Sequence, residues 1–183
     1  MARVPYLRRE DADEADKALY DRLEAERKIP TANIFLALAH APTQLDGFLT
    51  YANSLRASEL SPALRELAIL TVGHVTRSAY EVAHHHSHGL KAGLTEEQIA
   101  AVGDFETADV FDETEKAVMR LAKESTLQVD VSEETWRAAA DRLPQKQMVE
   151  LALSIAWYNS GVRIMGLLDI DLEADYPHPF PNS

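Results

Sequence analysis

A chain of 183 residues, 46% hydrophobic and 26% charged, is long enough to bury a core as one domain, and this balance excludes fibrous and disordered classes. Its formal net charge of −12, with no basic run, argues against nucleic acid or an anionic membrane surface as partner, since such binding is driven by basic patches. The chain has no cysteine, which rules out disulfides, thiolate metal sites and thiol redox chemistry.

Apolar residues recur at helical spacing along the whole chain and no stretch alternates as a strand would, so an all-α class is expected. Residues 1–10 carry arginines but no apolar run, so no secretory signal is expected and the cytoplasm is the expected compartment. A first helix is predicted over Asp13 to Glu26, with a break at Ile29-Pro30-Thr31. Short helices follow over Asn33 to Ala39 and over Pro42 to Ala57, the second with proline in its first turn. Ser61-Pro62 reads as N-cap and N1 of a helix running to Arg77. The next helix, Ala79 to Ala92, is stopped by Gly93 as a left-handed C-cap. Thr95 to Gln98 and Asp112 to Glu115 have the form of capping boxes, opening helices to Val102 and Ser125. Ser132 caps a helix to Arg142, and Pro144 opens a long one to Leu168.

Residues 151–168 are the stretch most like a membrane span, but Arg163 near the middle of one would cost roughly 2.5 kcal/mol or more. A buried helix or subunit interface is the better reading. The proline-punctuated tail, residues 175–183, cannot be helical and is expected to wrap a neighbour or to be mobile. With no repeat and no long linker, residues 1–183 form a single domain with its core over about 28–168.

Two helices hold the chemistry. Apolar residues surround Glu66 on nearly the whole circumference of its helix, so its carboxylate either pairs with Arg65 or Arg77 or has its pKa raised by desolvation, as a general acid or base requires. On the following helix Glu81, His84, His85 and His88 fall at i, i+3, i+4 and i+7 within an arc of ~100°, and His86 points the other way. Such a stripe is a solvated face, a proton-transfer site or a metal site. A zinc site would draw on His84, His85 and His88 with Glu81, and on a further ligand such as His74 or Glu66.

Arg65-Glu66-Leu67, Tyr80-Glu81, His85 and Gly93, in that order and spacing, resemble the carboxymuconolactone decarboxylase and alkylhydroperoxidase D-like family. The resemblance extends through Asn33-Ile34-Phe35, Ala41-Pro42, Trp157-Tyr158-Asn159 and Arg163, covering roughly residues 28 to 168. It implies an alkylhydroperoxidase D-like helical domain, here with an N-terminal helical extension, whose sites form near subunit contacts in a homotrimer or homohexamer. The family's relay glutamate falls on Glu66 and its relay histidine on His85, while the two cysteines of its redox branch fall on Ser78 and Glu81. Thiol peroxidase activity is therefore not expected. Val82 stands where decarboxylase-like members often carry tryptophan, and His84, His86 and His88 lie outside the general pattern.

The expectation is a cofactor-independent acid/base enzyme, decarboxylase-like or otherwise proton-transferring, acting on a small carboxylated or lactone-type metabolite. Loss of carbon dioxide leaves an enolate that must be held and then protonated. In this reading His85 donates the proton and Glu81 or Glu66 sets its charge. Tyr80 or Ser78 donates to the oxyanion, and Arg77 and Arg163 bind the substrate carboxylate. The alternatives are a divalent-metal enzyme using the histidine stripe, and a helical oligomer retaining only assembly or small-molecule binding.

Overall fold

The computed structural model describes residues 2–27 and 32–180; the break expected at residues 29–31 lies outside them. The described residues are helical with no strand: α1 Lys17–Arg27, α2 Asn33–Leu38, α3 Pro42–Ser54, α4 Pro62–Val75, α5 Ala79–Lys91, α6 Glu96–Ala101, α7 Glu113–Gln128, α8 Glu133–Ala140 and α9 Gln145–Leu168.

Helix α4 is the axle of the fold. Every residue from Glu66 to Gly73 is buried, as its all-round apolar pattern requires, and α5, α7 and α9 pack against it. Its two sides feed two cores. Ala68 and Val72 join Leu45 and Leu49 of α3, Val118 of α7 and Leu151 of α9. Leu67 and Leu70 join Val82 of α5, Ile99 of α6 and Met119 of α7. At about 1.5–3 kcal/mol for each large apolar side chain buried, α4 is the element the fold can least afford to disturb.

Local signals account for most of the boundaries. Both expected capping boxes form, at Thr95 with Gln98 and at Asp112 with Glu115, and Ser132 Oγ accepts from Thr135 N at 3.2 Å. Gly93 takes φ +100°, and Leu94 N donates to Gly89 O at 3.0 Å to close α5. Ser61 departs from expectation: its carbonyl accepts from Arg65 N, but its hydroxyl caps nothing. The first helix begins later than expected, because Asp13 makes no side-chain cap and Glu14–Asp16 form a 3-10 turn ahead of it.

Of the proline-punctuated tail, Tyr176 stacks on His84 with centroids 4.2 Å apart and Phe180 meets His74 edge-on at 5.4 Å, while residues 181–183 lie outside the described residues. Residues 169–180 lie back on their own chain, because their carboxylates find donors there. Asp171 accepts from Ala2 N and Tyr6 Oη at 3.0 and 3.1 Å, and Arg3 N donates to Leu168 O at 2.8 Å. Helix α9 buries Met148, Leu151, Ile155, Val162 and Met165 and leaves Val149, Leu153 and Leu167 exposed. No helix among the described residues is long and apolar enough to cross a membrane.

Candidate active site

Helices α4 and α5 are joined by the turn at 76–78, where Arg77 takes the left-handed conformation (φ 54°) and Ser78 N donates to Gly73 O at 2.9 Å. A Cβ at Gly73 would lie 2.9 Å from Val82 Cγ2, so this glycine permits the close approach that brings α5 down onto α4. Ser78 caps α5 by accepting from Glu81 N at 3.3 Å. The helical spacing of α5 then turns Glu81, His84, His85 and His88 toward one cavity, also lined by Glu66.

The centre of the site is His85, held by a carboxylate at each ring nitrogen. Nδ1 lies 2.6 Å from Glu66 Oε2, and Nε2 lies 3.0 Å from Glu81 Oε1. Both glutamates are only 6% exposed. Burial opposes a charge on His85, but Tyr158, Glu66 and Glu81 outweigh it and raise its pKa well above the ordinary 6.5. Burial likewise opposes the charge on Glu66, and His85, His88 and Arg65 overcome it and lower the carboxyl from 4.5. Arg65 Nε stands 3.8 Å from Glu66 Oε1. The trio is therefore an imidazolium between two carboxylates, with one arginine beside it.

A second carboxylate system stands behind the cavity wall. Glu173, beyond the end of α9, accepts from Tyr80 Oη at 2.8 Å and Asn33 N at 2.7 Å through one oxygen, and from His84 Nε2 at 2.7 Å through the other. Burial opposes its charge, but these donors bring its pKa down to about 2. The His84 ring is sandwiched between Tyr80 and Tyr176, with centroids 4.3 and 4.2 Å away. Next to His85, with ring centroids 5.1 Å apart, His88 is pushed down to about 4 by burial and by the charge on His85, and it is neutral at physiological pH.

The cavity measures about 480 Å³. One wall is aromatic: Phe48 and Trp157 have centroids 4.3 Å apart, and Tyr158 meets the His85 ring edge-on at 5.0 Å. Arg56 and Arg65 supply positive charge.

Glu66, Glu81, His85 and Tyr80 all line this one cavity, whereas three other residues expected at the site lie elsewhere. Ser78 spends its hydroxyl on the cap of α5. Arg77 is turned by its left-handed backbone toward a smaller cleft, where its guanidinium lies 5.4 Å from the Phe180 ring centroid. Arg163 is exposed and bonds the carbonyl and side-chain oxygens of Asn159, one helical turn back. For Glu66, of the two expected cationic partners only Arg65 is near.

The stripe itself faces the cavity and is not a solvated surface, while His86 bonds Glu96 on the outside at 2.8 Å. His74 lies apart, against Gly103 and edge-on to Phe180. Among the described residues no three histidine, aspartate or glutamate side chains converge as ligands for one metal ion. Glu173, Arg56 and Tyr158 were not singled out as site residues from the sequence. Tyr158 had a signal, as part of Trp157-Tyr158-Asn159; Glu173 and Arg56 belong to no motif that would have marked them.

Residues 38–124 match the carboxymuconolactone decarboxylase family. No curated protein matches the sequence. Among solved structures, a peroxidase-related protein from Ralstonia eutropha JMP134 with an alkylhydroperoxidase AhpD core superimposes with a TM-score of 0.80 at 16% identity, covering 95% of this chain and 93% of the other. A peroxidase-related protein from Silicibacter sp. TM1040 gives 0.80 at 15% identity over 96% and 93% of the two chains. A cysteine-to-alanine variant of the debrominase Bmp8, in complex with 2,3,4-tribromopyrrole, gives 0.78 at 17% identity over 89% and 90%. At such identities the structural likenesses establish a shared fold and leave the substrate open. This cysteine-less chain therefore shares the alkylhydroperoxidase D-like helical fold, and over residues 38–124 its sequence is similar to the carboxymuconolactone decarboxylase family.

Proposed function

We propose that the protein is a cofactor-independent acid/base enzyme that moves a proton next to a carbonyl, by decarboxylation or isomerisation, on a small carboxylated or lactone-type metabolite. The observation that carries this reading is His85 clamped between Glu66 and Glu81 at the wall of one cavity. Because both ring nitrogens are engaged, His85 serves as the proton reservoir. A proton passes from Nε2 to Glu81 or from Nδ1 to Glu66, and the resulting carboxylic acid delivers it to carbon. In a decarboxylation the carbon–carbon bond breaks to give carbon dioxide and an enolate, the enolate carbon takes that proton, and solvent restores it to the trio.

Support for a flat substrate comes from the aromatic wall of Phe48 and Trp157 and from the debrominase of the same fold, which binds a small planar ring. Dithiol-dependent peroxide turnover has no place in this reading, since no residue can attack as a thiolate or resolve the product. The test is a panel of lactones and keto acids incubated in deuterated water. Deuterium incorporation or carbon dioxide release that depends on His85 supports the proposal. Activity that follows bound metal on protein purified without a histidine tag would replace it with the metal reading.

The same proposal includes self-assembly, as a trimer or hexamer. Val149, Leu153 and Leu167 expose apolar area along α9, and Leu127 and Val129 add to it at the end of α7. Sedimentation at micromolar concentration is expected to give a homo-oligomer. A stable monomer there would sink this part of the proposal.

A further inference from the structure

Most polar groups on the cavity wall are already committed to one another. Glu66, His85 and Glu81 bond together, Arg65 lies beside Glu66, and Tyr80 and His84 are held by Glu173. Three wall residues stand differently. The side chains of Arg56 beyond the end of α3, His88 near the end of α5 and Tyr158 on α9 have no hydrogen bond or ion pair among the described residues. They sit within each other's fields: the charge on Arg56 disfavours protonation of His88 and favours ionisation of Tyr158. Burial nevertheless raises the Tyr158 pKa, so its hydroxyl is a donor at neutral pH.

A guanidinium, a phenol and a neutral imidazole facing one cavity form a receptor for an oxyanion, with the guanidinium able to give two parallel bonds. The aromatic wall beside them suits a flat, unsaturated body, and the trio lies on the same cavity. We propose that Arg56, Tyr158 and His88 bind a carboxylate of a planar, unsaturated substrate and so present its adjacent carbon to Glu66, His85 and Glu81. The anchored carboxylate is one the reaction retains. Pairing with Arg56 stabilises it in the ground state, which disfavours its loss as carbon dioxide. A substrate that fits therefore either shifts a proton or carries a second carboxyl group.

This inference rests on the acid/base reading for the chemistry but not for the binding, which a non-reactive probe measures separately. Benzoate, with benzamide as its neutral counterpart, is titrated against the full chain and followed by tryptophan fluorescence, Trp157 lying on the cavity wall. Benzoate is expected to saturate the signal and benzamide to bind at least roughly tenfold more weakly. Arg56→Gln is expected to weaken benzoate by roughly ten- to hundredfold, and Tyr158→Phe by a few-fold. Arg77→Gln and Arg163→Gln should leave its affinity unchanged. The Arg56 side is exposed, so this variant should fold, and circular dichroism checks it. No saturable response to benzoate, equal binding of benzamide, or wild-type affinity in Arg56→Gln each overturns the proposal. Turnover surviving in His85→Gln would instead remove the acid/base reading and leave the carboxylate receptor standing.

Discussion

Replacing His85 with Gln is expected to lower turnover of a true substrate by roughly 10²–10⁴-fold, the usual contribution of a positioned general acid or base. Glutamine can keep one of the two contacts that His85 makes, to Glu66 or to Glu81, but it cannot relay a proton between them. His86→Gln is the matched control, because His86 is on the same helix, one residue on, and bonds Glu96 on the outside, away from the cavity. The pH profile carries a second signature. With His85 raised above 6.5 and Glu66 lowered below 4.5, the charged His85–Glu66 pair persists across neutral pH. The rate should hold a plateau there and fall on the alkaline side, as His85 loses its proton. Equal effects of the two substitutions, or a fall centred near an unshifted histidine, would remove His85 from the chemistry.

Glu66→Ala should destabilise the fold at pH 7 by at most about 3–5 kcal/mol, the range for breaking a buried pair, because Glu81 still faces the other ring nitrogen of His85. Glu66→Gln keeps an acceptor for His85 Nδ1 and should cost clearly less. The pH dependence has a definite sign. Glu66 titrates lower in the folded chain, so its contribution is present above 4.5 and is lost as pH falls through its folded value. His85 titrates higher when folded, so its contribution is complete below 6.5 and is lost as pH rises through its folded value. The difference in urea stability between wild type and Glu66→Ala should therefore be largest around neutrality and shrink toward both extremes. A Glu66→Ala protein as stable as wild type at pH 7 would mean that the pair holds nothing.

Local rules carried the helices and the heart of the site, and long-range contacts decided what those rules missed. Helical periodicity and capping residues such as Thr95, Asp112 and Ser132 act within a few residues, so they could be read directly. Glu81 and His85 are one turn apart on a single helix, and the ordered motif added Glu66. Arg77 was misplaced because its direction is set by a left-handed backbone at a turn, which helical projection does not foresee. Glu173 was invisible, since its partners Asn33, Tyr80 and His84 are up to 140 residues away. Arg56 shows a related limit: the sequence reveals an arginine but not that its guanidinium has no hydrogen bond or ion pair among the described residues.

The reach of Glu173 bears on how the protein matures during synthesis. Tyr80 and His84 leave the ribosome long before the residue that orients them, and the amino-terminal segment must likewise wait for Leu168 and Asp171 before Ala2 and Arg3 can dock. The nascent chain can thus assemble α4, α5 and α7 early around a local hydrophobic cluster, yet it cannot finish the cavity wall until residues beyond Leu168 have been made. Competence for ligand arrives last, as both ends of the described chain close on each other beside the site.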